Sequence, residues 1–222
     1  MIGLLLSVVL VTTAGGTASA KTADQVVAEV QKFYKGIKQV SAKFEQEVVN
    51  PTFGRRSKST GKLRIKKPGK MRWDYFGKKI DGKVKVTKKF ISDGKQLWVV
   101  DHGNKQVIEK KLDQNLLPAA VTFLYGKGDL AKDFTAALDS SGTYGEEGDV
   151  VVELTPKVAS TQYQKIFLVV ATSNYRVRQS VVIDSGGIVN HFRFYEPNFK
   201  KKIGSATFRF DKADYPDYAL VD

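Results

Sequence analysis

Cysteine is absent from all 222 residues, so no disulfide can staple the fold and its stability has to come from packing. The same absence removes the site at which a bacterial lipoprotein carries its lipid. Histidine is nearly absent too. His102 lies beside Asp101 and His191 sits in a strand pattern, and neither has a partner at zinc-ligand spacing, so no metal site is expected. There is no Gly-x-Ser-x-Gly elbow. Asp93 and Asp101 are the candidates for a carboxylate pair, but Asp93 belongs to a turn, where aspartate is ordinary. Gly126-Lys-Gly128 is half a phosphate loop that follows a helix rather than a strand and lacks the remaining glycine. No catalytic residue and no cofactor is therefore expected. Long apolar runs are lacking as well: Ile2 to Val11 falls short of the roughly 20 residues of a membrane-spanning helix, and no second run follows. Internal repeats and low-complexity tracts are not found.

Charge is missing from residues 1–20, which are apolar early and end in Ala18-Ser19-Ala20, a small-x-small cleavage pattern. A signal peptide is expected over 1–20 and a single domain over 21–222. The formal charge of +13 then falls wholly in the second segment. Basic proteins attract phosphate, and for an exported chain a lipid surface or an acidic protein suits that charge better than nucleic acid does. A solvated lysine-rich surface accounts for it equally well.

Thr22 with Gln25 matches a capping box, and Val26, Val30, Phe33, Ile37 and Val40 recur at helical spacing, so an amphipathic helix is expected from Asp24 to Gln39. From Ser41 the period becomes two. Phe44, Gln46 and Val48 alternate with polar neighbours, then Leu63 and Ile65, then Met71, Trp73 and Tyr75 set between Lys70, Arg72 and Asp74. Asp81-Gly82, Asp93-Gly94 and Asp184 to Gly187 are hairpin turns. Further strands are expected over 96–100, 106–111, 134–138, 150–154, 165–172, 176–184, 188–195 and 206–211. Leu116 to Tyr125, closed by Gly126, is a short and almost wholly apolar helix that has to be buried or cover an opening. A twisted antiparallel sheet of this size curls, and the two helices would cover its concave face. Met71, Trp73, Tyr75, Leu97, Trp98, Val121, Phe123 and Leu124 then either fill the interior or line a cavity.

Two segments resemble a known family. Gly61-Lys-Leu-Arg-Ile-Lys-Lys-Pro-Gly-Lys-Met-Arg-Trp73 and Ile91-Ser-Asp-Gly-Lys-Gln-Leu-Trp98 are similar to the signatures of the outer-membrane lipoprotein carrier family, LolA. The agreement continues through the Leu-rich helix, Asp129-Leu130, Leu154 to Lys157, the Asp184 to Gly187 hairpin and Phe208-Arg-Phe210, and so spans most of 21–222. The resemblance implies a mainly β fold, an unclosed antiparallel barrel of about 11 strands under a helical lid. It implies a periplasmic monomer of a Gram-negative cell that takes acylated lipoproteins from an inner-membrane ABC transporter and passes them to an outer-membrane acceptor lipoprotein. Nucleic acid is not among the implied partners. On this reading the cavity is lined by Met71, Trp73, Leu97, Trp98, Val121, Phe123 and Leu124. Lys67 matches a family arginine that latches the lid, but an ammonium gives a point contact rather than a planar fork. The hairpin carrying Lys78, Lys79, Lys83 and Lys85 is longer than the family's and is either solvated or a contact for anionic lipid or an acidic partner. The alternative is a periplasmic carrier or sensor of another lipid or glycolipid on the same fold.

Overall fold

Thr22 opens the first helix by the expected box: its hydroxyl accepts the Gln25 N–H at 3.3 Å, and its own N–H donates to Gln25 Oε1 at 2.9 Å. The computed structural model describes residues 20–112, 129–160 and 162–221. The expected signal peptide (up to residue 19) and the expected Leu116 to Tyr125 helix, with Val121, Phe123 and Leu124, lie outside the described residues. Helix α1 (Ala23–Gly36) is shorter than expected, because Ile37 turns to extended backbone after Gly36. Val40, which fits the helical spacing, is instead the first buried residue of a strand.

The strands are β1 (Gln39–Asn50), β2 (Arg55–Lys66), β3 (Lys70–Ile80), β4 (Lys83–Asp93), β5 (Gln96–Asp101), β6 (Gln106–Lys111), β7 (Phe134–Leu138), β8 (Asp149–Pro156), β9 (Lys165–Ala171), β10 (Val177–Ile183), β11 (Val189–Asn198) and β12 (Ala219–Val221). A one-turn helix, α2 (Leu130–Asp133), precedes β7. All twelve strands form one sheet in the order β12-β6-β5-β4-β3-β2-β1-β11-β10-β9-β8-β7. Every pairing is antiparallel except β12 with β6, and the sheet does not close, since β12 and β7 are edges. Asp81 and Gly82 both have positive φ, +48° and +73°, the double left-handed step that a two-residue hairpin needs.

The pleat sends Val40, Ala42 and Phe44 of β1, Leu63 and Ile65 of β2, Met71 and Trp73 of β3, Leu97 of β5, Leu154 of β8, Leu168 of β9 and Phe192 of β11 to one face. Val26, Val27, Val30 and Tyr34 of α1 complete this core. Phe44 is its hub, with ring centroids 5.0 Å from Trp73, 4.9 Å from Tyr75 and 6.0 Å from Phe192. The ring lies against Gly61, where a Cβ would fall 2.4 Å from Phe44 and 2.3 Å from the Asp74 carbonyl oxygen. The glycine that opens the first signature is therefore a packing requirement.

The opposite face is covered in its first half by the C-terminal segment. Lys66 Nζ donates to the Ile203 carbonyl at 3.0 Å, and Lys89 Nζ to the Tyr215 hydroxyl at 3.0 Å. Ile91, Val100, Val107 and Tyr215 form a second core there. The strand expected over 206–211 is not formed. Ser205–Phe208 and Lys212–Asp214 are 3₁₀ turns, and the alternation that suggested a strand reflects Phe208 being buried and Phe210 stacking on Trp98 at 5.2 Å.

Candidate functional site

A half-open apolar pocket lies where the C-terminal end of α1 meets the sheet. It is lined by Tyr34, Val40, Ala42, Leu63, Arg176, Val177, Phe194, Pro197 and Phe199, and holds about 340 Å³ of empty space, counting solvent at its mouth. Most of that volume is solvent at the open mouth, and the space left for the centre of a water-sized sphere is only about 20 Å³, so the hollow is a shallow one. Its floor follows from strand alternation, which points Val40, Ala42, Leu63 and Phe194 the same way, and from Ala42 being too small to fill the gap between its neighbours.

Its wall is α1, and two polar contacts fix that wall. The Tyr34 hydroxyl accepts the Val177 N–H at 3.2 Å, and burial pushes that hydroxyl well above the usual phenol range. Lys67 Nζ donates to the Tyr34 carbonyl oxygen, which also accepts the Ile37 N–H. Partial burial lowers the Lys67 ammonium below the ordinary lysine value. Lys67 is itself placed by its backbone N–H, which donates to the Lys38 carbonyl at 2.9 Å. The expected latch residue thus holds α1; the helix it was expected to hold lies outside the described residues. Phe33 closes the corner, its ring 5.6 Å edge-on from Phe199.

Met71, Trp73 and Leu97 face the same side as the pocket but are buried in the packed core beside it, and none of them lines the empty space. Trp98 is on the other side of the sheet: it pairs in register with Ile91 and stacks on Phe210, which corrects its placement in the cavity. Lys78, Lys79, Lys83 and Lys85 all lie on the exposed β3–β4 hairpin, away from the pocket. Sequence reasoning did not single out Tyr34, Ala42, Leu63, Arg176, Phe194 and Phe199 as a site. Tyr34 had a signal, since it stands four residues after Val30 on the buried stripe of α1.

The carboxylates of the central strands are turned away from this face. Asp74, almost fully buried, takes Arg64 at 2.6 Å and Arg72 at 2.9 Å on the opposite side of the sheet, and Glu47 takes Arg56 at 2.9 Å. Among the described residues no three His, Cys, Asp or Glu side chains group as metal ligands, and no helix is long and apolar enough to cross a membrane.

An unclosed sheet with one oily face, a helix lying across it and an apolar hollow between them is the architecture of a half-barrel class of protein, a scaffold with room for an apolar guest. Residues 35–211 match the family model described as outer membrane lipoprotein carrier protein LolA, and the chain belongs to that family. It is 28% identical over 188 residues to the outer-membrane lipoprotein carrier protein of Dechloromonas aromatica, covering 83% of this chain and 82% of that one. It is 31% identical over 154 residues to the protein of the same name from Cupriavidus pinatubonensis, covering 68% and 65%. Among solved structures, an uncharacterized conserved protein from Thermus thermophilus shares the fold with a TM-score of 0.54 at 12% identity, covering 90% of this chain and 98% of that chain.

Proposed function

We propose that the protein is a periplasmic, non-enzymatic carrier of acylated lipoproteins, which accepts them from an inner-membrane ABC transporter, shelters acyl chain against the concave face, and yields them to an outer-membrane acceptor lipoprotein. The observation that carries this reading is the apolar pocket under α1, together with membership of a family whose relatives are named as lipoprotein carriers. Sheltering one methylene is worth about 0.8 kcal/mol, so covering half of a chain of about 15 methylenes contributes on the order of 6 kcal/mol. That corresponds to a dissociation constant of tens of micromolar, weak enough for transfer onward. A pocket that enclosed several whole chains would hold them too tightly to release.

Depletion of the protein in its host is the direct test. Outer-membrane lipoproteins should accumulate in the inner membrane; normal sorting after depletion would refute the carrier reading. One observation favours a second reading. Arg176 lines an otherwise apolar pocket and forms no ion pair with a carboxylate among the described residues. This arrangement fits a single-tailed lipid with an anionic head. Mass spectrometry of lipid extracted from the purified protein separates the two readings, because free lipid supports the second and a bound acylated polypeptide the first.

A further inference from the structure

The β3–β4 hairpin outruns its neighbours. β3 and β4 pair with each other as far as Ile80 opposite Lys83. On one side β5 joins β4 only from Lys88 opposite Asp101, and on the other side β2 pairs with β3 only as far as Thr60 opposite Phe76. Residues 77–87 are therefore a two-stranded ribbon that no strand among the described residues flanks. At about 3.3 Å per residue it projects roughly 17 Å past the last β5 pairing. Such a ribbon adds little to the core and is only marginally stable by itself.

Its side chains are unusual. It carries Lys78, Lys79, Lys83 and Lys85 against the single acid Asp81, and Val84 at its tip is 45% exposed. The β1–β2 turn emerges at the same end of the sheet, because β2 runs antiparallel to both β1 and β3, and it presents Phe53 at 71% exposure beside Arg55. Arg56 and Lys58 are paired with Glu47, and Lys88 with Asp101. No ion pair among the described residues engages Arg55, Lys78, Lys79, Lys83 or Lys85. An exposed phenylalanine flanked by unpaired cations is costly in water and favourable at an anionic lipid interface, where the ring enters the headgroup layer and the ammonium groups meet phosphate.

We infer that these two hairpin tips dock the protein on an anionic phospholipid bilayer, with Phe53 and Val84 dipping into the headgroup region and the ribbon lysines on its phosphates. The four lysines are spread along both strands of the ribbon, which suits a diffuse negative surface better than a shaped site on an acidic protein. Docking goes beyond the carrier reading and does not depend on what the pocket binds. The pocket lies at the opposite end of β1, at Val40 and Ala42, so docking holds the protein at the membrane with the pocket mouth turned away from the bilayer.

The test is flotation of the protein, purified from the periplasmic fraction of an expressing host, with vesicles of phosphatidylethanolamine and phosphatidylglycerol, or of phosphatidylcholine alone, at low salt. Binding should be confined to the anionic vesicles and fade as salt is raised. Each basic residue near such a surface is worth about fivefold in partitioning, so the combined substitution K78Q/K79Q/K83Q/K85Q should weaken binding several hundredfold. Phe53→Ser alone should weaken it by about tenfold. Uptake of a fluorescent fatty acid from solution should be unchanged in both variants, which separates failure of docking from failure of the pocket. Absence of binding to anionic vesicles, equal binding to neutral ones, or indifference to the four lysine substitutions would each overturn the inference. Crosslinks from the ribbon to an acidic protein, without vesicle binding, would assign the tips to a protein partner instead.

Discussion

Filling the pocket without touching its rim separates acyl sheltering from every other property of the fold. Ala42 is the floor residue best suited to this, since it is buried, lies between Val40 and Phe44 on β1, and faces the empty space. Ala42→Leu places three extra carbons in the hollow, the equivalent of about three methylenes of ligand. At about 0.8 kcal/mol each, the loss is on the order of 2 kcal/mol, or some fiftyfold in acyl affinity. Overpacking of a filled core costs about 1–3 kcal/mol, but here the added carbons enter existing space and the stability change should lie at the low end of that range. The assay is displacement of a fluorescent fatty acid, with urea midpoints measured on the same samples. The enlarging change Phe199→Ala should move acyl affinity far less, or the other way. If Ala42→Leu folds normally and binds the probe as tightly as the unsubstituted protein, the pocket is not where acyl chain is held, and the reasoning fails.

Three further outcomes follow from the same contacts. Gly61→Ala should lower stability by about 1–3 kcal/mol, read as a fall in the urea midpoint, because the new Cβ meets the Asp74 carbonyl and the Phe44 ring; adding Phe44→Leu should recover part of that loss. Lys67→Met should cost about 1 kcal/mol, since the Tyr34 carbonyl keeps its bond from Ile37, and should speed amide exchange at the C-terminal turn of α1 while leaving the sheet protected. His191 is held down to about 4 by burial and by Arg193, with Glu47 opposing, so its neutral form is favoured in the fold. Stability from this group is therefore complete above its unfolded value near 6.5 and is lost as pH falls through about 4, a total on the order of 3 kcal/mol. His191→Gln should reduce the fall in unfolding free energy between neutral buffer and pH about 4, measured by urea titration, by about that amount; an unchanged acid limb would show that His191 does not report on folding.

The strands around Phe44, Leu63, Met71 and Trp73 were legible because one face is oily and the other charged, and alternation then fixes both existence and facing. Legibility fails where both faces are covered. Leu97 and Trp98 are both apolar because the C-terminal segment covers the far side of β5, so no pattern within 96–100 assigns Trp98 to Phe210 rather than to the cavity. β12 has three residues and pairs in parallel at an edge, which leaves too little sequence to show a period. The pocket was illegible for a different reason. It is made by the smallness of Ala42 and by the approach of α1 to β1, β2 and β11, and a void between elements has no periodicity of its own.

Release can be argued from where the strength of the molecule lies. The charged side of the sheet is held by Asp74 with Arg64 and Arg72, by Glu47 with Arg56, and by the C-terminal segment pinned through Lys66 and Lys89. Removing one partner of a buried pair such as Asp74 costs about 3–5 kcal/mol, so this side does not yield easily. The oily side is fixed at its open corner by the Lys67 contact and the Tyr34 hydroxyl, together worth about 2–3 kcal/mol net. An entering acyl chain that gains on the order of 6 kcal/mol can break those contacts and still bind, while their re-formation returns part of that energy when the chain leaves. Strengthening the corner should therefore weaken retention. Lys67→Arg, which replaces a point contact by a fork able to reach two carbonyls, is expected to slow uptake of a fluorescent fatty acid and hasten its loss to acceptor vesicles; slower loss than from the lysine form would mean that the corner grips the chain instead of competing with it.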